Sequence, residues 1–309
     1  MFFEGSEKKI ELITAPTHGS LRALGSDFWT QIVSLAKADI ISVIHNQYCD
    51  AYLLSESSLF VWDNRIVMLT CGLSTLIDSL LAMLEHIGVD HVAFVSYQRK
   101  NEYLAHLQVS TFADDIARLR QYIPGTACRI GHLDSHHHFI FTSDKPCLLT
   151  VQDNTSELLM YHISGPVAQY LISEKQSEKT IFQLLQLDTL FVDFDYDSHL
   201  FSPLGFSVNG IKDEQYFTIH ITPQEQSSYV SVETNVDINS PDNPIAAQLL
   251  ALLQPISWDT IGFNTPVIAS SKPKNLCLAH CSYPIKPDYH VHFGHFQQLD
   301  SEVLSPDFM

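Results

Sequence analysis

Ala51-Tyr52-Leu53-Leu54-Ser55-Glu56-Ser57-Ser58-Leu59-Phe60-Val61 sets three hydroxyls and one carboxylate between two apolar runs. The aromatic and β-branched flanks predict strands. A turn normally carries Gly, Pro, Asn or Asp to reach unusual backbone angles, and none stands here before Asp63-Asn64. Taken alone, Ser55-Glu56-Ser57-Ser58 reads as a solvated edge or bulge of a hairpin. The rest of the chain decides whether it is also a chemical site.

Outward from this stretch, period-two alternation or clusters of strand formers mark 39–45, 51–62, 66–71, 91–97, 126–132, 138–142, 147–151, 189–195, 216–222, 228–234, 275–282 and 289–296. Helical spacing marks 27–37, 73–87, 110–121, 166–174, 178–187 and 244–254. Runs of strands followed by a helix, without strict βαβ alternation, predict an α+β fold with antiparallel sheets. Two halves of comparable size would suit a pair of packed sheets covered by helices. Residue identities reveal no internal repeat. At 240–244 a turn leads into the last long helix, with Asp242 or Asn243 as candidate caps and Pro244 suited to the first turn.

The chain has 309 residues, 45% of them hydrophobic, enough for a sizeable core. Its formal charge is -18 with only 17 Lys plus Arg, which repels a phosphate backbone and argues against nucleic acid. The same field favours a cationic small molecule. The N-terminal segment lacks a basic stretch leading into a long apolar one, and no apolar run approaches roughly 20 residues, so a membrane is not expected and the cytoplasm is. Six cysteines (49, 71, 128, 147, 277 and 281) in a chain this long predict reduced thiols rather than a disulfide scaffold.

Four further stretches stand out. Phe2-Phe3-Glu4-Gly5-Ser6-Glu7-Lys8 sets acids beside aromatics, and Thr70-Cys71-Gly72 puts a thiol at a strand-to-helix junction. Residues 201–210 form a Gly-punctuated hydroxyl loop, and 216–223 carry a His among strand formers. Singly, each has a plain structural explanation: packing for the thiol, a hydrogen-bonded strand residue for the His. Read together and in order, they resemble the eukaryotic-type S-adenosylmethionine decarboxylases. The matching text is Phe-Phe-Glu-Gly-x-Glu-Lys at 2–8, Leu-Ser-Glu-Ser-Ser at 54–58, Thr-Cys-Gly at 70–72, Arg-Lys-Asn at 99–101, Gly-x-Ser-x-Asn-Gly at 205–210, Thr-Ile-His-Ile-Thr-Pro at 218–223 and Ser-Tyr-Val-Ser-x-Glu-Thr-Asn at 228–235.

The resemblance implies one family domain over 1–309, built as a four-layer αββα sandwich of two antiparallel sheets. It implies self-cleavage between Glu56 and Ser57 into chains 1–56 and 57–309, which stay together, and a pyruvoyl group made from Ser57. Decarboxylation of an amino acid leaves a carbanion that needs an electron sink, and such a carbonyl supplies one. By position, Ser207 and His220 resemble the processing pair and Cys71 the proton donor to the substrate α-carbon. Phe3 and Phe201 resemble the rings that sandwich adenine, with Glu4, Glu7 and Leu54 lining the same pocket. Gln224 stands where the family usually places a ribose-binding glutamate, and Leu69 where a lysine is common.

Glu11, Asp153, Glu157 and Glu233 match an acidic cluster that binds putrescine in some members, which here predicts a modified diamine response. A homodimer through sheet edges is also compatible with the resemblance. His136-His137-His138, His280, Cys281, His290, His292 and His295 match no closed zinc spacing, so no metal is expected. Two alternatives stay in view. One is a pyruvoyl enzyme acting on a basic amino acid such as ornithine or arginine; the other is a non-catalytic relative that activates a partner.

Overall fold

The computed structural model describes residues 7–55, 57–100, 102, 105–132, 136–145, 154–173, 175–223, 228–268, 275–286 and 289–299. Phe3, Glu4, Glu56, Asp153, Gln224 and the 147–151 run lie outside the described residues. The chain divides into two compact units, Met1–Leu148 and Leu149–Met309.

The first unit holds strands β1 (Lys8–Thr14), β2 (Ile40–His45), β3 (Cys49–Leu54), β4 (Ser57–Trp62), β5 (Arg65–Thr70), β6 (Val92–Lys100), β7 (Gly125–Gly131) and β8 (His137–Ser143), with helices α1 (Gly25–Leu35), α2 (Leu76–Ile87) and α3 (Phe112–Leu119). The strands form one antiparallel sheet in the order β2-β3-β4-β5-β1-β6-β8-β7. The second unit holds β9 (Thr155–Tyr161), α4 (Gly165–Leu171), α5 (Glu178–Leu185), α6 (Leu187–Leu190), β10 (Asp195–Leu200), β11 (Phe206–Lys212), β12 (Gln215–Thr222), β13 (Tyr229–Thr234), α7 (Ile245–Leu253), β14 (Ser257–Phe263), β15 (Asn275–Lys286) and β16 (Tyr289–Gln298). Its sheet, also antiparallel, runs β10-β11-β12-β13-β9-β14-β16-β15.

These two orders trace one path. In each sheet the first strand lies inside, the next four form a meander on one side, and a further strand and a hairpin complete the other side. The α+β class with two antiparallel sheets is therefore as expected, and the chain contains a repeat of strand order that residue identities do not reveal.

Helices cover one face of each sheet. In the first unit Trp29, Ile32 and Val33 of α1 and Leu76, Leu80, Met83, Leu84 and Ile87 of α2 pack with Ile10, Leu12, Leu59, Val61, Ile66 and Met68. The three- and four-residue spacing on α2 meets the two-residue spacing on the strands, so each element turns its apolar side to the other. In the second unit Ile181, Leu185, Leu249 and Leu253 pack with Val208, Ile219, Val230 and Val232. Strand β4 is buried at all six positions, so both faces of this strand are covered.

Some expectations fail for identifiable reasons. Residues 189–195 do not make a strand: Leu187 and Leu190 bury on one side of α6, and β10 starts only at Asp195. Helix α2 starts at Leu76 rather than 73 because residues 71–75 form a turn that carries Cys71. Neither Asp242 nor Asn243 caps α7; Asn243 Nδ2 instead donates to the Leu190 carbonyl at 2.9 Å. Among the described residues no helix is long and apolar enough to cross a membrane.

Candidate active site

The opening stretch is a hairpin between β3 and β4, with Leu54 opposite Ser57 and residues 55 and 56 between them. Ser55 is anchored from outside: its amide donates to the Asp39 carbonyl at 2.9 Å and its hydroxyl accepts from the Asp39 amide at 3.0 Å. Ser57 is 4% exposed and has φ +141°, a region that residues with a side chain rarely adopt. Holding a serine there costs about 1–3 kcal/mol, and such outliers gather where strain serves a reaction. Leu54 belongs to the apolar core.

Register carries Ser57 to the other residues of this unit. Ser57 faces Thr70, Thr70 faces Lys8, and Lys8 faces Arg99, so one row crosses β4, β5, β1 and β6. Cys71 follows Thr70 directly and is partly exposed. Its turn depends on Gly72 at φ +65° and is closed by a 2.7 Å hydrogen bond between the Thr70 and Ser74 hydroxyls.

Lys8 fastens the same turn. Its buried ammonium donates to the carbonyls of Gly72 at 3.0 Å and Ser74 at 3.1 Å and to Gln108 Oε1 at 2.8 Å. Burial, aided by the nearby Arg99 charge, pulls the Lys8 ammonium down to about 8. Beside it Arg99 pairs with Asp115 at 2.8 Å and with Glu102, while Tyr97 donates to Asp115 at 2.6 Å. Glu7 forms a buried ion pair with Lys100 at 2.6 Å, which neutralises the charge that the sequence offers to a cationic ligand. The Arg-Lys pair of the 99–101 block thus serves buried ion pairs. Glu11 is held by Arg65, with N···O distances of 2.7 and 2.8 Å. That arginine lies on β5, the strand that also carries Leu69.

In the second unit Ser207 and His220 are directly opposite on β11 and β12. The Ser207 hydroxyl lies 2.7 Å from His220 Nδ1, and the Thr218 hydroxyl lies 2.7 Å from Nε2. Both ring nitrogens are therefore engaged, which fixes the imidazole plane. The loop before Ser207 is closed by the Phe201 amide donating to the Gly205 carbonyl at 2.8 Å, and Gly205 has φ +143°. A Cβ on Gly210 would lie 2.1 Å from the Phe217 ring, which itself stacks on Phe191 at 3.6 Å. Both glycines of the 205–210 block are thus structural. Phe201 is partly buried and meets His199 edge-on at 4.6 Å.

Glu157 and Glu233, 0% and 2% exposed, face each other across β9 and β13, and Tyr216 donates to Glu233 at 2.7 Å. Among the histidines, His295 binds Asp259 at 2.7 Å. On the β15–β16 hairpin, partial burial, with His290 and His280 beside it, holds the His292 imidazole below its usual value. Sequence reasoning missed Lys8, Arg65 and Thr218 as supporting groups. Lys8 and Thr218 stand within the matching blocks 2–8 and 218–223, and Thr218, two residues before His220 on a strand, also shares its face; Arg65 left no signal.

Comparison with known proteins bears on this geometry. The sequence model of the adenosylmethionine decarboxylase family matches residues 1–302. The S-adenosylmethionine decarboxylase proenzyme of Leishmania donovani is 32% identical over 321 residues, covering 97% of this chain and 82% of that protein. The Xenopus laevis proenzyme is 33% identical over 262 residues, covering 79% and 78%. The solved Trypanosoma brucei AdoMetDC-delta26 monomer superposes with a TM-score of 0.59 at 23% identity, covering 78% of this chain and 98% of that one, which shows a shared fold.

The family model and the relatives show a carboxy-lyase that generates its own carbonyl cofactor. The chain belongs to the adenosylmethionine decarboxylase family. Its reaction is the decarboxylation of S-adenosylmethionine for polyamine synthesis, with a pyruvoyl group formed by autocatalytic cleavage at a serine. The relatives do not favour the basic amino acid or non-catalytic alternatives.

Proposed function

We propose that Ser57 is the serine that becomes the pyruvoyl group and that the scissile bond is Glu56–Ser57. The observation carrying this reading is the buried Ser57 at φ +141° in a hairpin. Attack of the Ser57 hydroxyl on the Glu56 carbonyl forms an ester and breaks the peptide C–N bond. The strained φ then no longer exists, so its energy favours the reaction. Removal of the Ser57 α-proton expels the Glu56 carboxylate from Cβ, and water releases ammonia to leave the pyruvoyl carbonyl. In this reading Ser207 and His220 act in processing. An imidazole held at both nitrogens is oriented for a single proton transfer.

The pyruvoyl group, once formed, supplies the electron sink for decarboxylation. Cys71 holds the proton at Sγ that is returned to the substrate α-carbon. Phe201, with Phe3, is the stacking surface for adenine. Release of carbon dioxide from carboxyl-labelled S-adenosylmethionine, ornithine and arginine tests the substrate. Release from the first alone is expected; turnover of either amino acid at a comparable rate would contradict the reading.

The same reading extends to a putrescine site formed by Glu11, Asp153, Glu157 and Glu233, to an edge-to-edge homodimer and to a cytoplasmic location. Arg65 on Glu11 reduces the charge left for a diamine. Putrescine is therefore expected to change the rate of decarboxylation or processing only weakly. Strong, saturable activation would overturn that expectation.

A further inference from the structure

The geometry points to Lys8 as a positioning residue that fixes the turn carrying Cys71, an inference resting on the reading of Cys71 as proton donor. Lys8 lies in an unusual setting for a cation. It is 2% exposed and sits at the turn that leads into the N-terminal end of α2, where the helix dipole disfavours positive charge. A lysine that served only packing could be replaced by an apolar side chain of similar length without that cost. What the charge gains is a specific set of acceptors. Two of its three hydrogen bonds go to Gly72 and Ser74, the first and third residues after Cys71, and the remaining one to Gln108.

The turn is thereby held at both carbonyls that flank Leu73, while Thr70 and Ser74 close it through their hydroxyls. Lys8 also faces Thr70 in the sheet, so the cation and the residue before Cys71 are tied through the backbone as well. Small displacements of a reacting group cost large factors in rate, which is what such a clamp prevents. The Lys8 charge also interacts with Cys71, and an ammonium eases the loss of the proton that the thiol returns to the substrate.

The clamp has its own pH limit. With a folded value of about 8, Lys8 is charged below that pH and neutral above it. A neutral amine has only two N–H donors, so one of the three bonds is lost as pH rises. The ionisable groups around it are Arg99 on β6, Glu102 beyond it, Asp115 on α3 and Cys71 itself.

The test compares Lys8→Met, Gln108→Met and Cys71→Ala in the full chain, measuring processing, kcat and KM for S-adenosylmethionine, and the pH dependence of Cys71 alkylation by peptide mass spectrometry. In Lys8→Met we expect kcat to fall by about 10- to 100-fold with KM within about twofold, and the alkylation midpoint to rise by about one unit. Gln108→Met, which removes one acceptor at a partly exposed position, should move both quantities the same way by about threefold in kcat. If Cys71→Ala is inactive while alkylation and kcat are unchanged in both other variants, the Lys8 inference falls and the Cys71 reading stands. If Cys71→Ala keeps its activity, the reading of Cys71 itself falls. Should Lys8→Met fail to fold, Gln108→Met decides, and an unchanged midpoint and kcat there overturn the inference.

Discussion

Ser57→Ala is expected to remain one chain of 34.9 kDa and to release no carbon dioxide from S-adenosylmethionine. Two consequences meet in this substitution. Alanine has no hydroxyl to attack the Glu56 carbonyl, so neither the ester nor the chain break forms, and without the break there is no carbonyl to take up electrons. The fold should survive, because Ser57 occupies the first position of β4 and the five residues after it supply the packing of that strand. Circular dichroism matching the parent protein would separate lost chemistry from lost structure. Cleavage of this variant at residue 56, or measurable turnover, would contradict the assignment.

Cys71→Ala should behave in the opposite way on processing. The chain break requires only the Ser57 hydroxyl and the groups that move its protons, so chains 1–56 and 57–309 should still form. Decarboxylation should then fall by about 10²–10⁴-fold, the range general acid catalysis commonly supplies. A drop confined to kcat is expected, since the thiol is assigned no binding role. The side-chain change is small and its site is partly exposed, which limits the cost to the fold. Activity within about threefold of the parent would remove Cys71 from the mechanism.

The apolar runs on either side of Ser55-Glu56-Ser57-Ser58 made the hairpin legible, and Thr70-Cys71-Gly72 marked the end of a strand, but the turn that delays α2 to Leu76 was not legible. Nor were other elements. Strand β1 reads Lys-Lys-Ile-Glu-Leu-Ile-Thr, and three ionisable residues in seven do not suggest a strand buried at six of its positions. Their burial becomes understandable only with partners from distant segments, namely Gln108 for Lys8 and Arg65 for Glu11. Strand β14 has Trp258, Asp259 and Thr260 in sequence, and the buried Asp259 is explained by His295 and Tyr161, each supplied by another strand.

Spacing along the chain also conceals cross-strand register. Ser207 and His220 are 13 residues apart yet face each other, because β11 and β12 form a tight hairpin around Asp213 and Glu214. The repeat of strand order is hidden for a related reason. It resides in which strand pairs with which, and different side chains fill equivalent places in the two sheets. Arg65 shows the same limit on a smaller scale: losing the usual lysine at Leu69 suggests an unbalanced acid, whereas a residue four positions earlier on the same strand supplies the cation.

Intact-mass measurement of the purified protein tests the central claim most directly. The account predicts two chains, 1–56 ending in the Glu56 carboxylate and 57–309 lighter by one ammonia than a chain beginning with serine. A single uncut chain, a break at another bond, or a 57–309 chain that still begins with serine would contradict it.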